Sequence, residues 1–136
     1  MANEKQIKVL LGKVGLDGHD RGVRTVASWL RENGMEVIYI GTQQTPQTVV
    51  ATAVQEDVDV VGLSFQGGDH RHLLKRTKEL MKEKGLDDIM LIAGGNIPRQ
   101  HTDELKAVGV DAVFHPGTMM DKIVNYIKES AGKRHN

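Results

Sequence analysis

Short β-rich apolar runs alternating with helical patterns predict a doubly wound α/β domain, a five-stranded parallel sheet with helices on both faces. Three observations carry that expectation. Five such runs recur across 136 residues, each followed by a segment with helical periodicity. The middle run, 58–64, is almost continuously apolar, as a strand covered on both faces requires. Glycine also stands at the close of three helical segments, at Gly34, Gly85 and Gly109.

The elements follow in order. Residues 7–11 read as the first strand, and 23–33 as a helix with Val23, Val26, Ala27 and Leu30 on one face. Residues 37–40 form the second strand. Pro46 then occupies a favourable first helical position for a helix over 46–56. The third strand, 58–64, leads into a long helix over 70–84. Strand 89–93 precedes a helix over 100–108, and the short strand 112–114 precedes the last helix, 121–130. Right-handed crossovers leave few topologies, and the flavodoxin-like strand order 2-1-3-4-5 is the one expected.

One domain spans residues 1–136, with a core over about 7–131 and a polar tail over 132–136. Lysine plus arginine and aspartate plus glutamate number 18 each, so charge gives no argument for nucleic acid or an anionic membrane. Aromatic residues make up only 4%, too few for a base-stacking platform. No run approaches the roughly 18 apolar residues of a membrane span, and the first six residues hold no apolar signal core. Cysteine is absent, which excludes disulfides, thiolate metal sites and thiol nucleophiles and fits a cytoplasmic protein.

In sheets of this kind ligands bind beyond the carboxyl ends of the strands, near the switch point between strands 1 and 3. Four unusual segments fall on that edge: 13–22, 64–69, 94–96 and 115–118. In the first, Asp17 precedes His19 by two residues inside a glycine-punctuated turn. A carboxylate there can fix the tautomer of an exposed imidazole, as a metal ligand needs. The plainer alternative is a loop histidine with Asp17 as turn or cap residue. A phosphate cradle is a further alternative, although the loop lacks the Lys-Ser/Thr ending of a P-loop and the spacing of a dinucleotide fingerprint.

Asp17-x-His19-x-x-Gly22 resembles the Asp-x-His-x-x-Gly motif of cobalamin (vitamin B12) binding domains. Later elements match in order: 41 residues separate Gly22 from Ser64, and 27 lie between Gln66 and Gly94-Gly95. The resemblance runs from about Ile7 to Ile127. It looks most like the C-terminal cobalamin domain of methylmalonyl-CoA mutase and its relatives, through the stretch Gly15 to Gly22, Gln44-Thr45-Pro46, Gly94-Gly95-Asn96-Ile97-Pro98 and Pro116-Gly117-Thr118.

The resemblance implies base-off cobalamin with His19 as lower axial ligand of cobalt, in a Lys13–Asp17–His19 relay. Neutral imidazole suits cobalt, and a carboxylate on its other N–H raises its basicity. It further implies that Ser64 hydrogen-bonds the freed benzimidazole and that Gly22, Gly94 and Gly95 let the nucleotide tail pass close to the backbone. Gly18, Asp20, Arg21, Phe65, Gln66, His115, Gly117 and Thr118 complete the implied cofactor contacts. One departure is evident: the family's Ser-x-Leu element is here Ser64-Phe65-Gln66, followed by Gly67-Gly68-Asp69, which alters the expected pocket wall. His115 replaces a glycine common in relatives and lies at the cofactor edge.

The implied function is a small subunit of an adenosylcobalamin-dependent acyl-CoA mutase, a carbon-skeleton isomerase inactive alone. Its implied partner is a large TIM-barrel subunit that binds the acyl-CoA, in a heterotetramer. The alternatives are a corrinoid carrier for methyl transfer, which usually has a helical domain ahead of the first strand, and a small subunit of 2-hydroxyisobutyryl- or isobutyryl-CoA type. The small subunit of glutamate mutase is comparable in length but differs in the serine loop. His70 and His72 lack a three-ligand zinc spacing and are expected to be solvated or to contact cofactor. His101 and His135 are expected at the surface, and Trp29 and the methionines in the core or a subunit interface.

Overall fold

A computed structural model describes residues 6–15, 21–65 and 69–132. Five parallel strands lie in the order expected, β2-β1-β3-β4-β5. In chain order the elements are β1 (Lys8–Lys13), α1 (Arg21–Glu32), β2 (Glu36–Tyr39), α2 (Pro46–Glu56), β3 (Val60–Phe65), α3 (His70–Glu83), β4 (Met90–Gly95), α4 (Thr102–Ala107), β5 (Ala112–Phe114) and α5 (Met120–Gly132). Gly34, Gly85 and Gly109 all have positive φ, as helix-closing glycines should.

The boundaries differ from the sequence expectation where loops lend or withdraw hydrogen bonds. β1 runs on to Lys13 because its ladder with β3 continues through the pairs Gly12 with Leu63 and Lys13 with Ser64. On its other side Lys13 N–H donates to the Gly41 carbonyl (3.0 Å) and Gln44 N–H donates to the Lys13 carbonyl (2.9 Å). β4 takes in both glycines of the Gly94-Gly95 pair. The fourth helix is shorter than the expected 100–108. Pro98 is extended (φ −60, ψ 139), and His101 N–H closes back on its carbonyl in a 3₁₀ turn over Arg99–His101 before α4 begins. α5 reaches Gly132, which the sequence places in the tail.

Period-2 alternation splits the core between the two faces of the sheet. Leu10, Val61 and Leu91 face α2, α3 and α4, where they meet Val49, Val50, Leu74, Met81 and Leu105. Val9, Leu11, Val60 and Ile92 face α1 and α5, meeting Val23, Ala27, Leu30, Ile123, Val124 and Ile127. Trp29 is not core: the buried stripe of α1 is Val23, Ala27 and Leu30, and Trp29 lies off it, 39% exposed. Met35 and Met81 are core, whereas Met119 is exposed.

At the other edge of the sheet two aspartates repeat one device. Asp59 Oδ2 accepts the Lys8 N–H (2.9 Å) and Asp111 Oδ2 accepts the Leu91 N–H (2.8 Å). Their own N–H groups donate to the carbonyls of the same residues, so each pins the start of a neighbouring strand. Asp59 is buried and Asp111 is exposed, so removing the first carboxylate leaves a gap in packed surroundings as well as an unpaired N–H. Asp59→Ala is therefore expected to lower unfolding free energy by about 1–3 kcal/mol, the cost of an unpaired donor beside the gap left by a buried carboxylate. Asp111→Ala should cost about 1 kcal/mol or less; urea unfolding of the two variants checks the order.

Candidate functional site

Two rows of residues, in register across the sheet, build the site. Lys13 pairs with Ser64, Ser64 with Gly94, and Gly94 with Phe114. Two residues earlier, Leu11 pairs with Gly62, Gly62 with Ile92, and Ile92 with Ala112. Because Leu11 and Ile92 face α1 and α5, both rows do. In the last row the central residues, Ser64 and Gly94, are small, and α1 and α5 do not close over them.

The result is a cavity of about 290 Å³ between the sheet, the first turn of α1 and the β5–α5 loop. Leu11, Ile92, Phe114, Val23, Val26 and Ile123 make its apolar walls. Ser64, half-buried, adds a hydroxyl, and Gly22, Gly94, Gly95, Gly117 and Thr118 bring backbone to its rim. A Cβ on Gly22 would meet nothing within 4 Å, so that glycine keeps the helix start open. Concave, mainly apolar space with a few polar groups fits a flat heterocycle better than a highly charged ligand.

The paired glycines do different work. Gly94 has ordinary strand geometry, and a Cβ there would meet only the Phe114 carbonyl oxygen, at 3.4 Å. Gly95 has φ +100, and its Cβ would collide with the Phe65 carbonyl oxygen. That close approach holds the ends of β3 and β4 together, and Asn96 N–H donates to the same carbonyl (2.9 Å).

His115 lines the cavity with its ring fixed from behind. Nδ1 lies 3.0 Å from the Ile97 carbonyl, which can only accept, so Nδ1 carries the hydrogen. Nε2 lies 3.1 Å from the Thr102 hydroxyl. Thr118 Oγ1 donates to the His115 carbonyl (2.6 Å), so that hydroxyl offers the cavity an acceptor only.

Two histidine expectations need correction. His70 is buried at 3% exposure, not solvated, and His101 is half-buried, not a surface residue. Their rings stack at 5.1 Å, with Nε2 of His70 2.9 Å from Nδ1 of His101. The reason is the 3₁₀ turn, which swings His101 over the start of α3. His72 is exposed and outside this pair. Among the described residues no group of three or more His, Cys, Asp or Glu could hold a metal ion.

Lys13 is buried at 3% exposure at the end of β1, and Arg21 and Gly22 open α1. Asp17, Gly18, His19 and Asp20 lie outside the described residues, as do Gln66 in the β3–α3 loop and His135. Their stretch is bracketed by Gly15 and Arg21. Sequence reasoning missed Gly62, Leu11, Ile92 and Phe114 as walls. The signal was there in β3, where Gly62 and Ser64 stand two apart and so share a face.

Gly95→Ala is expected to destabilise the fold by at least about 1–3 kcal/mol from backbone strain alone. Gly94→Ala should leave stability within about 1 kcal/mol of the parent. Chemical denaturation of both variants separates the two roles.

A family profile described as a B12 binding domain matches residues 7–124. The chain is 42% identical over 132 residues to the 2-hydroxyisobutanoyl-CoA mutase small subunit of Aquincola tertiaricarbonis, covering 97% of each chain. It is 42% identical over 126 residues to the pivalyl-CoA mutase small subunit of Xanthobacter autotrophicus, covering 93% of this chain and 84% of that one. Methylmalonyl-CoA mutase of Rhizobium meliloti is 39% identical over 130 residues, where this chain spans 18% of the longer protein. Among solved structures, a cobalamin-binding protein from Desulfitobacterium hafniense superposes with a TM-score of 0.80 at 24% identity, over 92% of this chain and 59% of that one. That last likeness concerns the fold alone.

Proposed function

The chain belongs to the B12-binding domain family, and we propose that it is the cobalamin-carrying small subunit of an adenosylcobalamin-dependent acyl-CoA mutase. The observation that carries this reading is end-to-end similarity, 42% identity over 97% of both chains, to a protein that is itself a mutase small subunit.

The residues fit the cofactor. A nucleotide tail ending in a benzimidazole is a flat, largely apolar group with few polar atoms. The cavity between β3, β4, α1 and α5 offers apolar walls and the Ser64 hydroxyl for the freed ring nitrogen. Gly22 and Gly94 allow close backbone approach, and Gly95, His115, Gly117 and Thr118 stand around the same edge. The expected contact from Phe65 is not among them, because its ring is buried in the core on the opposite face of the sheet. Arg21, opening α1, adds positive charge where a tail phosphate would pass.

His19 is the lower axial ligand of cobalt in this reading. Asp17 would accept its second ring N–H and fix the tautomer, Lys13 would back Asp17, and Gly18 and Asp20 would contact the cofactor. Gln66, in place of the family leucine, borders the tail. When bound, adenosylcobalamin supplies homolysis of its cobalt–carbon bond and hence the radical for a carbon-skeleton rearrangement. The chain's own part is to bind, orient and ligate; His19 moves no proton.

The acyl-CoA needs a second protein, because a cavity of about 290 Å³ filled by a nucleotide tail has no room for coenzyme A. The partner is a large TIM-barrel subunit, in a heterotetramer. The relatives act on 2-hydroxyisobutanoyl- and pivalyl-CoA, so a branched acyl-CoA is the substrate class, selected in the large subunit. Among the described residues no helix is long and apolar enough to cross a membrane, and the cytoplasm is the expected site of action.

The test is electron paramagnetic resonance of the Co(II) form on ¹⁵N-labelled protein. Superhyperfine splitting from a protein nitrogen, lost in His19→Ala, is the expected result; splitting from benzimidazole in the parent contradicts the reading. Ser64→Ala should keep the protein-nitrogen signal and weaken cobalamin binding by about tenfold or less, given the roughly 0.5–1.5 kcal/mol of one neutral hydrogen bond. Equilibrium titration followed by absorbance checks the second outcome. A methyl-transfer carrier would instead accept and donate a methyl group without any acyl-CoA partner.

A further inference from the structure

Gln44 sits in the turn between β2 and α2, beside the exit of β1, and both hydrogens of its carboxamide are bonded within that turn. Nε2 donates to the carbonyls of Ile40 (2.9 Å) and Thr42 (3.2 Å), and Oε1 lies 3.1 Å from the Thr48 hydroxyl, whose single hydrogen it shares with the closer Thr45 carbonyl (2.9 Å). Both amide hydrogens are thus spent on backbone carbonyls of one short turn. That turn needs holding. Gln43 has φ +59 without being glycine, and Gly41 has φ +99.

Helix capping does not explain Gln44. α2 is capped without it, by reciprocal bonds in which Thr48 N–H donates to Thr45 Oγ1 (3.1 Å) and Thr45 N–H donates to Thr48 Oγ1 (3.0 Å).

The turn's backbone grips β1 just past the last pair of the β1–β2 ladder, Leu11 with Tyr39. Lys13 N–H donates to the Gly41 carbonyl (3.0 Å), Gln44 N–H to the Lys13 carbonyl (2.9 Å), and Gly15 N–H to the Gln44 carbonyl (3.2 Å). Val14 and Gln44 form an isolated parallel bridge. Gly12 makes room for this contact, since a Cβ there would lie 2.9 Å from Ile40 Cγ1 and 3.7 Å from Gln44 Cγ. Residues 13–15 are therefore fixed to the turn that Gln44 braces, and the stretch carrying Asp17 and His19 departs from Gly15 one residue later.

We propose that Gln44 is a positioning residue for the metal-ligating loop: its carboxamide braces the β2–α2 turn, and the turn aims the exit of β1 so that His19 reaches cobalt. The proposal rests on the reading of His19 as axial ligand. Without the carboxamide the Ile40 and Thr42 carbonyls lose their donors, the left-handed Gln43 loses its support, and residues 13–15 gain freedom. The population with histidine on cobalt then falls, although the fold keeps its core and the helix its cap.

The experiment compares full-length parent, Gln44→Met, Gln44→Glu and Thr52→Ala, each ¹⁵N-labelled and loaded with cob(II)alamin. Paramagnetic resonance gives the histidine-bound fraction, and circular dichroism melting of the unloaded protein reports folding. Gln44→Met keeps the length of the side chain and removes its polar atoms; Gln44→Glu turns a carboxylate towards two carbonyls. Thr52→Ala removes a hydroxyl that donates only to the Thr48 carbonyl further along α2 (2.8 Å), and serves as control. The expected result is a fall of at least twofold in the histidine-bound fraction in folded Gln44→Met, an equal or larger fall in Gln44→Glu, and none in Thr52→Ala. A folded Gln44→Met with the parental fraction overturns the proposal, as does an equal fall in Thr52→Ala. Should Gln44→Met not fold, Gln44→Glu decides by the same criterion; should neither fold, Gln44 supports the fold itself and the proposal is overturned. A parent without protein nitrogen on cobalt overturns the His19 reading, a result distinguishable from any of these.

Discussion

Opening room inside a sheet that must stay covered on both faces is the constraint on which the rest of this structure depends. A doubly wound sheet is stable because helices seal it, and a cavity on one face forfeits part of that seal. Here the opening is confined to the last two rows of the α1/α5 face: Ser64 and Gly94 are small in the last row, and in the row before it Leu11 and Ile92 lean over Gly62. The other face stays packed to its edge, with Leu63, Phe65 and Ala93 in the core it shares with α2, α3 and α4. One face thus carries the stability that the other gives up.

The loops around that opening are tied to one another by specific bonds. Gly95 and Asn96 lie on the Phe65 carbonyl, His101 stacks on His70, and His115 is held by Thr102 and Ile97. Across the sheet the β2–α2 turn grips the end of β1. A cofactor entering this edge would meet walls arranged in advance, which reduces the ordering cost of binding. The buried Lys13 and the helix start at Arg21 and Gly22 flank the stretch that carries the histidine.

Strand order was legible through the alternation of strands and helices and the right-handed crossovers it requires, and the buried face of α1 because hydrophobic periodicity records burial directly. Helix ends at Gly34, Gly85 and Gly109 were legible too, since left-handed backbone selects glycine. The fourth helix was not: its first turn is decided by Pro98 and a 3₁₀ closure, which periodicity does not encode. Likewise His101 looked solvent-facing until that turn carried it onto His70. Ser64 and the Gly94-Gly95 pair were identified by resemblance. The apolar walls supplied by Leu11, Ile92 and Phe114 were not, because an ordinary core residue and a cavity wall look alike in sequence. Only strand register tells them apart.

The central claim is that this cavity takes the nucleotide tail of a cobalamin. Cobinamide, the same corrinoid without that tail, tests it most directly, by comparing its equilibrium affinity for the full chain with that of cobalamin. The account predicts that cobinamide binds about a hundredfold more weakly or worse, a loss of about 2.7 kcal/mol. Equal affinities would mean that the tail stays outside, and would contradict the account.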